Sequence, residues 1–368
     1  MYINLVLIPF VIVLGLLLSV NDNKRNRGIY IIFCSLVFLV IGSLRNPEWM
    51  TSQYGLDTAK YKDLFEFFSE VRWQECWDMA VNRYKYGGED DIGFVALNKL
   101  ISLVTNDFSI YSILTGLIFF IPFSLMLHRF STSMRQLIFA YVFYVVLIQV
   151  FIFGAARQMI SIGLDIMALL LVVDRKKWIA LIFFLIGVTI HFSSLIFLIP
   201  LLMVWLNIKP RPLKLTHILC FIMFPVVLAF PNQIIVFMGE SVGVEKYANY
   251  GVGDVSGGVS TFVVLIELLS VLCLIAIKKK DLLNIPHLSN IYVMAPFFTL
   301  MAPLLMADGA MIRVSLYYHL FLTLLVPYSL DCLFKTKDNW IAYVLAIGFF
   351  IALSGKGMEY YFFWQYQS

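Results

Sequence analysis

Arg157 and His191 are the residues whose types fit least well with the sequence around them. Arg157 stands in Gly154-Ala155-Ala156-Arg157-Gln158-Met159, ahead of an apolar run to Val173. His191 ends the apolar run that starts at Trp178, and Phe192-Ser193-Ser194 follows it. A guanidinium in greasy sequence is costly unless something uses it. Its chemistry suits phosphate, because its planar fork of donors stays charged and matches phosphate oxygens. An imidazole titrates near neutrality and can take the proton of a sugar hydroxyl. A lone histidine at a helix bend is more often a hydrogen-bonded structural group, and Ser193 and Ser194 suit the caps of a following helix. Whether His191 is a base therefore depends on its sharing a pocket with Arg157.

Other polar residues fall at the same ends of the apolar runs. Arg45 closes one run and Arg313 opens another, so both are further candidates for an anion; for Arg45, snorkelling to lipid headgroups explains the position equally well. Asp57, in Gly55-Leu56-Asp57-Thr58, reads either as a helix N-terminal residue or as a catalytic or metal-binding acid, and no second acid stands at metal-binding spacing. Tyr61, Leu64, Phe65, Phe68 and Val71 repeat at helical spacing, which predicts a helix lying flat on a membrane. Lys246, Tyr247 and Tyr250 precede a glycine-rich stretch, Gly251 to Gly258, that reads as a mobile loop without a P-loop lysine. Asp165 and Glu267 lie mid-run. They mark either a proton or ion path or polar contacts between helices, and Asp165 is about 12 Å deeper than Arg157 along one helix.

The elements that must hold these residues are membrane helices. Of 368 residues, 61% are hydrophobic and 14% charged, with mean hydropathy +0.87. Apolar runs of about 17–21 residues recur, each long enough to cross a bilayer as a helix. They are continuous rather than alternating, which excludes a transmembrane barrel. Met1 to Val20 has no basic leader and reads as the first span. Of the five cysteines, Cys34, Cys220, Cys273 and Cys332 sit in apolar segments and Cys76 in a polar loop; no disulfide framework follows.

Sorting the charges gives the topology. Lys24, Arg25 and Arg27; Arg129 and Arg135; Arg175, Lys176 and Lys177; Lys209, Arg211 and Lys214; Lys278, Lys279 and Lys280; and Lys335 and Lys337 all fall in alternate connections, so these are cytoplasmic. The expected fold is a single all-α polytopic membrane domain over 1–368, with about twelve crossings and both termini extracytoplasmic. Residues 45–107 form a first external loop with an interfacial helix, and 231–260 a second. The charge-free stretch 178–206 is either one long tilted helix or two short ones meeting at His191. The second option keeps both flanking basic clusters inside and is preferred.

The sequence resembles the EpsG family of exopolysaccharide polymerases, related in function to the Wzy-type O-antigen polymerases. The resemblance lies in Arg45, in Gly55-Leu56-Asp57-Thr58 with Tyr61, and in Ala156-Arg157-Gln158. It continues in Ile190-His191-Phe192-Ser193-Ser194-Leu195, Lys246-Tyr247 with Tyr250, and Arg313-Val314-Ser315-Leu316-Tyr317-Tyr318. It implies a bacterial inner-membrane enzyme, similar to O-antigen ligases and GT-C glycosyltransferases, that works on the periplasmic side without a metal or other cofactor. Its donor and acceptor would be oligosaccharides linked to undecaprenyl diphosphate, and a flippase and a chain-length regulator would be further partners; no nucleic acid is expected. On that resemblance His191, Arg157 and Arg313 are catalytic. Arg45, Asp57, Tyr61, Gln158, Lys246, Tyr247, Tyr250 and Tyr317 bind substrate. A flippase for lipid-linked sugar and a membrane O-acyltransferase are the alternatives.

Overall fold

The structure is a computed structural model that describes residues 2–54, 57–86, 91–207, 210–242, 261–276, 288–307, 311–334, 339–354, 357 and 359–365. Regular structure among them is helical, apart from two isolated bridges, Tyr2 with Glu359 and Arg45 with Phe362. Lys24–Ser43, Phe108–Phe130 and Ala156–Val173 are long and apolar enough to cross a membrane. Two bent pairs, Ile218–Ala229 with Pro231–Phe237 (100°) and Arg313–His319 with Leu322–Leu333 (44°), bring the number to five if each is one span. The protein is a helical membrane protein, and the length test alone counts three to five of the expected crossings. Several other apolar runs, among them Asn4–Ser19, Met134–Ile148 and Lys177–Ile190, form shorter helices.

The chain forms two compact units, Met1–Phe197 with Val344–Ser368, and Leu198–Tyr343. In the first, α1 (Asn4–Ser19) and α2 (Lys24–Ser43) are followed by four helices in the expected outer loop. These are α3 (Pro47–Tyr54), α4 (Thr58–Glu70), α5 (Trp73–Tyr86) and α6 (Ile92–Ser102). Then come α7 (Phe108–Phe130), α8 (Met134–Phe143), a π-helical turn at Tyr144–Ile148, α9 (Gln149–Gly154), α10 (Ala156–Val173) and α11 (Lys177–Ile190).

The central helix is α10, buried over most of its length between α7 and α11. Gly163 permits the close approach to α7. A methyl there would lie 2.4 Å from the Ile118 carbonyl oxygen and 2.7 Å from the Phe119 Cα, both backbone atoms that cannot swing aside. The apolar face of α4 exists as its spacing predicts, but it is covered by protein. Tyr61 packs with Phe94, Phe65 with Ile101 and Tyr111, and Phe68 with Cys76 and Val95. Cys76 is accordingly a buried helical residue of α5.

Residues assigned by charge to one side of the membrane meet in space. Arg129, at the end of α7, pairs with Asp174, past the end of α10, at 2.7 Å. Arg27 pairs with Asp22 at 3.4 Å and donates to the Ser131 carbonyl at 3.3 Å, and Asp22 accepts from the Met134 N–H at 2.9 Å. In 178–206 the helix breaks where two short helices were expected to meet. His191 is extended (φ −153°, ψ 112°), a 3₁₀ stretch runs over Phe192–Phe197, and α12 (Leu198–Trp205) follows.

The second unit begins with α12 and continues through α13 (Pro210–Ala229), α14 (Pro231–Val242) and α15 (Thr261–Ala276). It then runs through α16 (Leu288–Tyr292), α17 (Ala295–Ala307), α18 (Met311–His319) and α19 (Leu322–Leu333) to the start of α20 (Asn339–Ser354). Its centre is α17, which packs on α13, α15 and α18. The first part of the expected second outer loop is helical, as α14.

Candidate functional site

The site in the first unit is built where α10 starts and α11 ends. The chain turns at Ala155, so Arg157 falls in the first turn of α10 and is 8% exposed. A cation at a helix N-terminus meets the unfavourable end of the helix dipole and needs other support. Three groups supply it. The guanidinium carbon lies 5.8 Å from the centre of the Tyr61 ring and 5.4 Å from that of Phe94, within the range of cation–π attraction. Nη1 lies 3.9 Å from Oδ2 of Asp91.

That same carboxylate oxygen lies 3.5 Å from Nδ1 of His191. His191 caps the C-terminus of α11, where the dipole favours an imidazolium, and its N–H still donates to the Gly187 carbonyl at 2.9 Å. The turn after it is pinned by Ser194, whose N–H donates to the His191 carbonyl at 3.0 Å. The Ser194 hydroxyl donates to the Asp165 carboxylate at 2.7–2.8 Å. Ser194 is thus tied to α10 rather than capping the next helix, and Asp165 holds the His191 turn in place. Tyr61, Phe94, Ile160, Leu164 and Ile190 form an apolar cluster beside these groups. Arg157 is therefore brought together with His191, through Asp91, and with the Tyr61 ring.

Arg45 lies on the same side of this unit. Its guanidinium donates to the Gly42 carbonyl, and burial pushes its pKa down to about 10, against a rise from Tyr360, Tyr111 and Tyr61. It remains a cation at neutral pH. A narrow cavity touches Arg45, Tyr61, Tyr111, Ala156 and Met159, so Arg45 and the start of α10 face one space. Arg45 also lines an open cleft of about 680 Å³ with Trp49, Lys62, Glu66 and Asp107. Asp57 is at the N-cap position of α4, but the capping bond comes from Thr51, whose hydroxyl oxygen accepts the Ala59 N–H at 2.9 Å. Gln158 is buried, and its amide has no hydrogen-bond partner among the described residues.

Arg313 and Tyr317 belong to the second unit, on α18, where Tyr317 is buried and Arg313 half-buried. Lys246, Tyr247 and Tyr250 lie outside the described residues. The second unit has its own buried polar group. Glu267 on α15 touches His319 Nε2 on α18, and His319 Nδ1 shares a 3.1 Å hydrogen bond with the Ser315 hydroxyl.

Two residues escaped the sequence reading. Asp91, directly before the apolar helix α6, looks like an ordinary helix cap, and only its distance to Arg157 and His191 distinguishes it. His319 ends a helix of the second unit, and nothing near it in sequence signals Glu267. Among the described residues, no three His, Cys, Asp or Glu side chains converge in an arrangement that would hold a metal ion.

Comparison with known proteins gives a family match. The EpsG family, described by that name, matches residues 29–368. Among curated proteins and among solved structures nothing matches.

Proposed function

The chain belongs to the EpsG family, a family of Wzy-type polysaccharide polymerases, and we propose that it joins oligosaccharide repeat units carried on undecaprenyl diphosphate. The acceptor is a second lipid-linked repeat unit, and the reaction takes place on the periplasmic or outer side of a bacterial inner membrane. The observation that carries this assignment is the meeting of Arg157 and His191 at one carboxylate.

His191 removes the proton from the acceptor hydroxyl as its oxygen attacks the anomeric carbon. The bond from that carbon to the diphosphate oxygen breaks, and the configuration inverts because attack comes from the opposite face. The electron pair leaves with undecaprenyl diphosphate, whose growing charge is met by Arg157 and by Arg45; the family resemblance gives Arg313 the same role. The proton on His191 then passes to water. Tyr61, Asp57 and Gln158 position the substrate; the family resemblance gives the same role to Tyr317, Lys246, Tyr247 and Tyr250. The open cleft beside Arg45 falls within the usual size range of ligand pockets, which gives the sugar end room.

Sidedness follows from charge. The basic groups around Arg27, Arg129 and Asp174 gather apart from the Arg157–His191 group, and the positive-inside rule assigns them to the cytoplasm. About twelve crossings, a GT-C-like arrangement and extracytoplasmic termini complete the proposal.

The test is incubation of the purified protein with one defined lipid-linked repeat unit. A ladder of products is expected from the wild type and none from His191→Ala or Arg157→Ala at equal protein level. A ladder from either variant overturns the assignment. The transport alternative keeps one support, the buried Glu267–His319 pair, and it expects no ladder from the wild type.

A further inference from the structure

We propose that Asp91 is the positioning residue that fixes which nitrogen of His191 acts as the base. The inference rests on the assignment of His191 as base. Asp91 occupies the N-cap position of α6 with extended backbone (φ −73°, ψ 129°), a place where an aspartate ordinarily bonds to the next backbone N–H groups. Its side chain makes no capping bond. The carboxylate is turned instead towards α10 and α11, with Oδ2 at 3.5 Å from His191 Nδ1 and 3.9 Å from Arg157 Nη1.

A carboxylate can only accept, so the nitrogen facing it carries the hydrogen. Nδ1 of His191 is then the donor, and the lone pair is left on Nε2, ready for the proton of an acceptor hydroxyl. When Nε2 takes that proton, the imidazolium already has an anion at its other nitrogen. Arg157 tempers the same anion, so at rest the three groups carry no net charge. After proton uptake they are one positive charge in excess, beside a leaving diphosphate. The Asp165 carboxylate on α10 is engaged by the Ser194 hydroxyl, and the Tyr61 ring of α4 faces the Arg157 guanidinium.

The fold enforces this contact. A methyl at Gly93 would meet the Thr189 hydroxyl at 2.3 Å, the Thr189 carbonyl carbon at 2.7 Å and the Ile190 nitrogen at 2.9 Å. Only the absence of a side chain lets the first turn of α6 lie on the last turn of α11, and that approach carries Asp91 to His191. The Phe94 and Val95 N–H groups, at 2.9 and 3.0 Å from the Asp91 carbonyl, fix its backbone in turn.

The experiment compares wild type, Asp91→Asn, Asp91→Glu and His191→Ala in the ladder assay between about pH 5 and pH 9, the range in which an imidazole titrates. Asp91→Asn is expected to lower kcat roughly 100-fold, with little change in KM for the lipid-linked donor. The acid limb of its pH profile should move to lower pH, because an imidazolium without its carboxylate is less stable. Asp91→Glu should recover part of the rate. A readout independent of turnover is ¹⁵N NMR of histidine-labelled protein in nanodiscs, with the His191 signals assigned by their loss in His191→Ala. Wild type should show the Nδ1–H form, and Asp91→Asn a mixture or the Nε2–H form. Unchanged kcat, acid limb and tautomer in Asp91→Asn would refute the inference and leave the polymerase assignment standing. A ladder from His191→Ala would remove both.

Discussion

At Arg157 the guanidinium is held by two ring faces and one carboxylate, and these restraints ask different things of the side chain. A lysine would keep the charge but lose the planar fork and most of the ring stacking, contributions worth about 0.5–2 kcal/mol for the stacking alone. Arg157→Lys is therefore expected to retain a trace of activity, with kcat/KM for the lipid-linked donor down by roughly 10- to 100-fold. Steady-state kinetics on one defined repeat unit would check this, and wild-type kinetics in Arg157→Lys would show that charge alone matters. Arg157 and His191 stand out in the sequence because a charge or an imidazole in an apolar run has no cheap explanation. Asp91 does not, because an aspartate just before a helix has a routine one. Legibility at this scale follows how unusual a residue is in its local context, and the carboxylate that joins the site is ordinary in its own.

The same contrast holds for helices. The break at His191 was legible because a single helix over 178–206 would leave one of its two flanking basic clusters outside. The apolar face of α4 was equally legible from its spacing, but its destination was not: periodicity says that a face is buried and not what covers it. The protein covers it with α6 and α7, through Phe94, Ile101 and Tyr111. What holds the His191 turn is also a matter between elements, namely the Ser194 hydroxyl on the Asp165 carboxylate. Ser194→Ala leaves that buried carboxyl group without this donor, at a cost of about 1–3 kcal/mol. Thermal unfolding in detergent should show the loss, with activity falling further than stability because the His191 turn loosens. An unchanged melting temperature and full activity would show that Asp165 does not depend on Ser194.

For the molecule as a whole, charge sorting groups the connections of the chain into two sets, and the number of crossings is harder to read from hydropathy. In the first unit the connections that hold Arg27, Arg129 and Asp174 come together, as charge sorting groups them. Counting helices from hydropathy runs is harder, because breaks such as the 44° bend between Arg313–His319 and Leu322–Leu333 divide apolar stretches that composition alone shows as continuous. The orientation can be checked with single cysteines in a background without the native ones. Ser52→Cys, exposed on α3, should react with an impermeant maleimide in intact cells, and Lys176→Cys, exposed between α10 and α11, only after permeabilisation. The reverse pattern would put the Arg157–His191 group in the cytosol.

The segment around Arg45 is stapled by residues far along the chain. The Asn46 N–H donates to the Tyr361 carbonyl at 2.8 Å, the Phe363 N–H donates to the Leu44 carbonyl at 2.9 Å, and the Tyr360 hydroxyl donates to the Ile41 carbonyl across 319 positions. A ribosome making this protein therefore releases Arg45 long before its clasp exists. The pocket wall beside Tyr61 gains these bonds only once synthesis has passed residue 363, so a chain stopped short of it is expected to give no ladder of products however well its early helices have inserted.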